Sequence, residues 1–362
     1  MTRAMGSEYM EWAKLRSQAR FSLASSGMPD VPMTELPVRL EELELTAPGQ
    51  YGYPPLQERL ARRLGVAVDC VVAAAGTSMA NYLALAALLE PGDEALIEEP
   101  SYELLVRAAE HLGARIVRFP RRHEHGFRLD PAEVERALTP ATRLIVLTNL
   151  HNPSSALTEE SALREIQLLA RRVGARVLVD EVYLETLYDV RPWRSAFRLG
   201  PEFVTTGSLT KAYGLSGLRC GWILAEPNLA RRIWRLNDLF GVNAAHPAER
   251  LSVVALDNLD RIARRARALL EANRRLLHGF LDARRDLACS RPEFGTVVFP
   301  RLEHGAVDAL CRRLLERYET SVVPGRFFGR PEHFRVGISV PTEMLAEGLE
   351  RLAKALDDPP SP

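Results

Sequence analysis

The stretch "SLTKAYGLSGLRCGW", residues 208–222, sets Lys211 three residues after Ser208 and eight before Arg219. Gly214, Gly217 and Gly221 loosen the backbone around it. Taken alone, these residues have two readings. A surface loop rich in turn formers would look like this. So would a site in which a lysine amine bonds to a phosphorylated aldehyde, because such an amine needs phosphate-holding groups fixed at a set distance from it.

Working outward, short β-branched runs alternate with longer segments of helical period from about residue 70 to 225. Residues 94–100, 114–119, 142–149, 175–181, 202–208 and 218–225 read as strands, and the alternation predicts an α/β fold with a mostly parallel sheet. Helix ends are marked between them. Asp130, Pro131 and Glu133 read as an N-cap, a first-turn proline and a capping-box acid. Thr158 is expected to cap the next helix, whose Leu163, Ile166, Leu169, Ala170 and Val173 share a face before Gly174 ends it. Residues 261–286 read as a long amphipathic helix with Ile262, Ala266, Leu269, Leu276 and Phe280 inward and Arg264, Arg265 and Arg274 outward. The remainder mixes strand and helix as a smaller α+β unit, and the tail 357–362 reads as disordered.

Composition narrows the function. Lysine plus arginine equals aspartate plus glutamate at 47 each in 362 residues, so no global field draws the chain to nucleic acid or to an anionic membrane. A small-molecule partner is expected. The four cysteines, Cys70, Cys220, Cys289 and Cys311, form no CxxC pair, which argues for reduced thiols and against structural zinc. The first residues lack the apolar core of a secretion signal, and the longest apolar run, 79–89, is too short to span a bilayer. These features predict a cytoplasmic protein.

In open α/β sheets ligands gather beyond the carboxyl ends of the strands, and several polar residues fall there. Gly76, Thr77 and Ser78 follow "VVAAA" and open a helix, so their backbone N–H groups could face an anion or simply start the helix. Tyr102 follows a strand and a proline, and either covers a flat ring or packs in the core. Asn152, in "TNLHNPSS", is a ligand contact or a turn residue. Asp180 ends the apolar run "RVLVD", where a buried carboxylate needs a partner: a cationic heterocycle or a structural ion pair. Tyr183, three residues on, could reach the same ligand.

Taken in order, these motifs resemble the class I/II aminotransferases, the fold-type I enzymes that use pyridoxal 5'-phosphate. The resemblance runs from "SSGMPD" (25–30) to "FRVGIS" (334–339), nearly the whole chain, and "VDEVY" with the Lys211–Arg219 spacing is its most specific part. It implies an aspartate-aminotransferase-like large domain over residues 39–245, with a smaller α+β domain built from 1–38 and 246–362. It further implies that Lys211 carries the cofactor as a Schiff base. Ser208, Arg219 and the turn at Gly76, Thr77 and Ser78 would hold the phosphate, and Tyr102 would stack on the ring. Asn152 and Tyr183 would bond the ring hydroxyl oxygen, and Asp180 the ring nitrogen. Arg335, helped by the backbone at Gly27 and by Asn152, would clamp the substrate's α-carboxylate. "VVPGRFFG" (322–329) resembles the segment that precedes that arginine. A homodimer with shared active sites is implied as well.

The resemblance has two departures. The family's Asn-Pro-Thr-Gly is Asn-Pro-Ser-Ser here, which puts Ser155 where glycine's freedom is expected and predicts a differently shaped loop. The tyrosine that reaches the neighbouring subunit in many relatives would fall near Ala47, which leaves only Tyr51 as a candidate. Substrate choice is not legible: Arg250 and Arg326 are the candidates for a side-chain carboxylate, and Tyr9, Trp12 and Phe21 line the entrance or pack. The expected activity is transamination between an α-amino acid and a 2-keto acid. A lyase or cyclase using the same cofactor is the alternative, and a non-catalytic regulatory module is the remote one, disfavoured because no effector segment fits before Gly27.

Overall fold

The computed structural model describes residues 4–47, 49–188 and 193–358. Its centre is a seven-stranded sheet: β1 (Val71–Ala75), β2 (Glu94–Glu99), β3 (Arg115–Pro120), β4 (Thr142–Thr148), β5 (Arg176–Asp180), β6 (Phe203–Ser208) and β7 (Cys220–Leu224). The spatial order is β1-β7-β6-β5-β4-β2-β3. Every adjacent pair is parallel except those made by β7, which runs antiparallel to β1 and β6. Apart from the half-exposed edge strand β3, the strands are mostly buried on both faces, as the unbroken apolar runs require.

This direction of β7 positions the site. The last residues of β1, β4, β5 and β6 reach one edge of the sheet, and β7 starts from that same edge directly after Arg219. Facing pairs there are Thr148 with Asp180, Ser208 with Gly221, and Ala75 with Cys220. Helices α2 (Gly76–Leu88), α3 (Glu103–His111), α4 (Glu160–Val173) and α5 (Leu209–Tyr213) lie among these strands in the sequence. The amino-terminal α1 (Glu8–Leu15) packs beside α3, where Glu103 accepts from the Ser7 hydroxyl at 2.5 Å and from the Tyr9 amide at 2.8 Å. Both chain ends meet where Phe21–Ser22 pairs in parallel with Thr320–Ser321.

Local chemistry changes four expectations. Asp130 caps its helix by accepting from the Ala132 amide, but the Glu133 carboxylate bonds Arg122 and Arg136 and so closes no capping box. Thr158 is not a cap, since α4 starts at Glu160; its hydroxyl instead accepts from the fully buried Arg121, whose guanidinium must be satisfied. The long helix α6 runs from Leu259 to Asp282, and its buried stripe is Ile262, Ala266, Leu270, Asn273, Leu277 and Leu281. Leu276 therefore faces solvent, while Arg274 turns inward to donate to the Gly295 carbonyl. At the tail, Asp357 ends the last helix and accepts from Arg284, and Asp358 accepts from Tyr318. Residues 359–362 of that tail lie outside the described residues.

Ser155 takes the left-handed conformation itself, at φ 60°, so the loop keeps the turn that glycine would give. Its hydroxyl donates to the Val297 carbonyl at 2.7 Å and offsets the strain.

Gly221 has no room for a side chain. A Cβ there would stand 2.5 Å from the Gly76 carbonyl carbon, backbone that carries the start of α2. Gly217, by contrast, has nothing within 4 Å. Gly221→Ala should cost about 1–3 kcal/mol of stability through overpacking, and Gly217→Ala much less. Thermal unfolding of the cofactor-free proteins checks this; equal midpoints for the two variants would contradict it.

Candidate active site

A cavity of about 800 Å³ opens at the edge where the strands end. Thr77, Ser78, Tyr102, Asn152, Asp180, Tyr183, Ser208, Lys211 and Arg219 line it. Gly27, Gly76 and Arg335 do not, although residues bonded to or beside each of them do. Tyr9 and Trp12 line it too, whereas Phe21 is buried elsewhere beneath the Arg20 and Arg351 guanidiniums. Arg250 pairs with Glu44, Arg326 pairs with Asp308, and neither lines the cavity. Tyr51 is exposed, donates to Asp238 and stacks near Trp234, away from the cavity.

Asp180 ends β5 and is 4% exposed. One oxygen accepts from Asn81 Nδ2 at 2.8 Å and the other from the Val182 amide at 3.0 Å. Asn81 lies on α2 and is aimed by Thr206 of β6, which donates to its oxygen at 2.5 Å. Burial raises the Asp180 pKa to about 6, against the pull of those two neutral donors.

Lys211 sits on α5, whose N-cap Ser208 accepts from the Thr210 amide. Burial, then the nearby Arg335, lower its pKa to about 8. Its Nζ donates to Ser26 Oγ at 3.2 Å, and the Tyr183 hydroxyl donates to the same oxygen at 2.8 Å. Burial raises the Tyr183 phenol to about 12, so it stays protonated.

Arg335 is 1% exposed behind Asn152 and Tyr9. Nη1 donates to Asn152 Oδ1 at 3.0 Å, and Nη2 to the Tyr9 hydroxyl at 2.9 Å and to the Ala24 carbonyl at 3.1 Å. Its buried Nε has no partner among the described residues. Asn152 is held from below: its amide donates to Thr148 Oγ1, which donates at 2.5 Å to Glu98. Glu98 pairs with Arg121 at 2.8 Å, both fully buried.

The residues fit pyridoxal phosphate. Thr77 Oγ1 and Thr210 Oγ1 are buried hydroxyls with no hydrogen-bond partner among the described residues, both on the cavity wall. Beside them are the first turn of α2, Ser208 and Arg219, whose guanidinium crosses the β1–α2 junction to the Ala75 carbonyl. Unspent hydroxyl donors, helix N–H groups and an arginine suit a phosphate. A buried carboxylate held only by neutral donors suits a protonated ring nitrogen.

The model for "Aminotransferase class I and II" matches residues 40–352. The chain belongs to the class I and II aminotransferase family. Pyridoxal phosphate is the cofactor of this family and of this chain. Among relatives, capreomycidine synthase of Streptomyces vinaceus is 32% identical over 96% of this chain and 92% of its own. Arginine–pyruvate transaminase AruH of Pseudomonas aeruginosa is 30% identical over 95% and 92%. A crystal structure of a PLP-dependent aminotransferase from Streptococcus suis superposes with a TM-score of 0.92 at 25% identity, covering 98% of both chains. The aspartate-aminotransferase-like fold expected from the motifs is the fold observed.

Four supporting residues of the site escaped the sequence reading. Asn81 is the polar exception in "MANYLALAALL", and Ser26 lies inside "SSGMPD", so both left a signal. Thr148 and Glu98 sit within strand runs, and only the fold shows where they point.

A lysine with its pKa near 8 is half deprotonated there, and the exposed Lys354 serves as the comparison. In the cofactor-free protein, acylation of Lys211 should rise with pH and level off above 8, roughly two units before an ordinary lysine. Peptide mass spectrometry across a pH series checks this; identical profiles for Lys211 and Lys354 would contradict it.

Proposed function

We propose that this protein is an aminotransferase that moves the amino group of an α-amino acid to a 2-keto acid through a Schiff base at Lys211. The observation that carries the reading is the pairing, across one cavity, of a buried Asp180 held only by neutral donors with a Lys211 amine of lowered pKa. When bound, pyridoxal phosphate draws electron density from the Cα of the amino acid joined to it.

The chain's residues do the rest. Asp180 keeps the ring nitrogen protonated: opposite charges about 4 Å apart at an effective dielectric near 20 attract by roughly 4 kcal/mol, which is on the order of three pKa units. Lys211 Nζ, whose pKa is lowered to about 8 so that a share of it is free base at neutral pH, takes the Cα proton and returns one as acid. Thr77, Ser78, Ser208, Thr210 and Arg219, with the backbone at Gly76, hold the phosphate. Tyr102 covers the ring, while Asn152, through its free NH₂, and Tyr183 bond the ring oxygen. Arg335 grips the α-carboxylate in a bidentate fork near the Gly27 backbone. That grip keeps the carboxylate in place and so disfavours its loss.

A second reading keeps the cofactor and changes the product: a lyase or cyclase acting on an amino acid. It is favoured by the relative named a synthase rather than a transaminase. Arginine with pyruvate is the first pair to assay, because a transaminase of that name is among the relatives. Within this protomer Asp180 is the only acid among the described residues lining the cavity, so a cationic side chain would need an acid from elsewhere. The same reading includes a homodimer, supported by the exposed Leu239, Phe240 and Val242, and a cytoplasmic location; no described helix is long and apolar enough to cross a membrane.

Lys211→Ala should bind cofactor yet lose turnover by at least about a thousandfold, as removal of an essential covalent and acid–base group does. Arg335→Lys should raise KM about tenfold or more by losing the fork while leaving cofactor affinity intact. Purified protein incubated with amino acids and 2-keto acids decides between the reactions: one keto acid formed per new amino acid means transamination. Product without any amino acceptor would overturn it in favour of the lyase or cyclase.

A further inference from the structure

Ser26 and Gly27 lie against the Lys211 side chain, one at its tip and one beside its stem. A Cβ on Gly27 would stand 3.4 Å from Lys211 Cδ, so the stem rests on this segment and its tip arrives at Ser26. Ser26 is 5% exposed and lines the cavity. Its position is fixed from three sides. Thr296 Oγ1 donates to the Ser26 carbonyl at 2.8 Å, Ser339 Oγ donates to the Gly27 carbonyl at 2.9 Å, and the Met28 amide donates to the Lys211 carbonyl at 2.9 Å. The serine therefore cannot drift away from the lysine.

A serine hydroxyl has two lone pairs and one hydrogen. Here both lone pairs are taken, one by Lys211 Nζ and one by the Tyr183 hydroxyl. The groups that bear on the amine are otherwise charged: Arg335 behind Asn152, Asp180 at the end of β5, and Arg219 before β7. Ser26 is the neutral side chain that touches it.

We propose that Ser26 is a positioning residue for Lys211, its hydroxyl oxygen seating the amine whenever that amine is free and holding the Tyr183 phenol at the same point. This rests on the reading of Lys211 as the reacting amine. An ammonium on a flexible four-carbon stem samples many rotamers, and one acceptor at its tip selects among them. The seat also favours the charged form, because a hydrogen bond accepted from an ammonium stabilises it. Loss of the hydroxyl should therefore lower the Lys211 pKa further and slow reactions that need the amine aimed into the cavity. Phosphate and carboxylate binding, which belong to other residues, should be untouched.

The test uses the full chain with Ser26→Ala and Ser26→Thr. Pyridoxamine 5'-phosphate, which binds without bonding to the lysine, reports pocket integrity through tryptophan fluorescence. Stopped-flow capture of pyridoxal phosphate, on the plateau above the lysine's pKa, reports aim. The pH profile of Lys211 acylation reports the charge effect. For Ser26→Ala we expect pyridoxamine phosphate affinity within about threefold of the parent, capture slowed by about fivefold to tenfold, as loss of a hydrogen bond between neutral groups implies, and an acylation profile moved to lower pH. Ser26→Thr should restore capture and profile. Unchanged capture and profile in the alanine variant would overturn the proposal. So would a matching loss of pyridoxamine phosphate affinity, which marks a merely structural role. Should the alanine variant fail to fold, Ser26→Cys, of similar volume and weaker as an acceptor, makes the same comparison. Borohydride reduction of the parent with pyridoxal phosphate tests the underlying reading separately: no label on Lys211 sinks that reading, whereas a label with an indifferent Ser26 sinks only this one.

Discussion

Asp180 ends β5 with one oxygen on Asn81 and the other on the Val182 amide, in a place where water hardly reaches it. Neutral donors lower the cost of burying that charge without cancelling it, and its raised pKa is the sign of the remainder. A carboxylate so placed lowers the stability of the empty fold at neutral pH: its folded pKa lies above the unfolded one, so stability falls as pH rises past the unfolded value. A cationic ring nitrogen beside it would reverse that sign, so the burial that weakens the fold would strengthen its hold on such a group.

The rest of the site follows from the direction of one strand. Were β7 parallel like its neighbours, Arg219 would enter the sheet at the opposite edge from Asp180 and Ser208. Running antiparallel between β1 and β6, it brings a fixed positive charge to the point where α2 and α5 both begin. The close backbone approach of Gly221 to Gly76 is the steric condition of that arrangement, and the left-handed Gly214 ends α5 behind the lysine. These glycines serve packing and turn geometry as much as freedom of movement.

Much of this was legible in the chain. The strands were visible because a sheet buried on both faces needs unbroken β-branched runs, and the motif residues were visible because they follow those runs. What was hidden depends on tertiary partners. Thr158 looks like a cap until Arg121 is seen to need its oxygen. Ser155 looks wrong for its turn until the Val297 carbonyl is found within reach. The inward stripe of α6 keeps Ile262 and Ala266 but centres on Leu270, Leu277 and Leu281, with Leu269 and Phe280 packed at its flank and Leu276 turned out, because what packs against a helix decides its buried face when apolar residues stand on both sides. Glu98 and Thr148, read from the sequence, are only strand residues; in the fold they are the base on which Asn152 and thus Arg335 rest.

The charges in the cavity complete the argument. Lys211, Arg219 and Arg335 outweigh Asp180, so the empty site is cationic and each positive group disfavours the protonation of Lys211. A phosphate near Arg219 and a carboxylate on Arg335 would each remove part of that repulsion, since opposite charges at close range favour the charged form of a neighbouring amine. The lysine would thus become a better base as such ligands arrive. In the proposed reaction, proton removal would in this way be tied to occupancy, the amine gaining basicity when a substrate carboxylate is in place beside it.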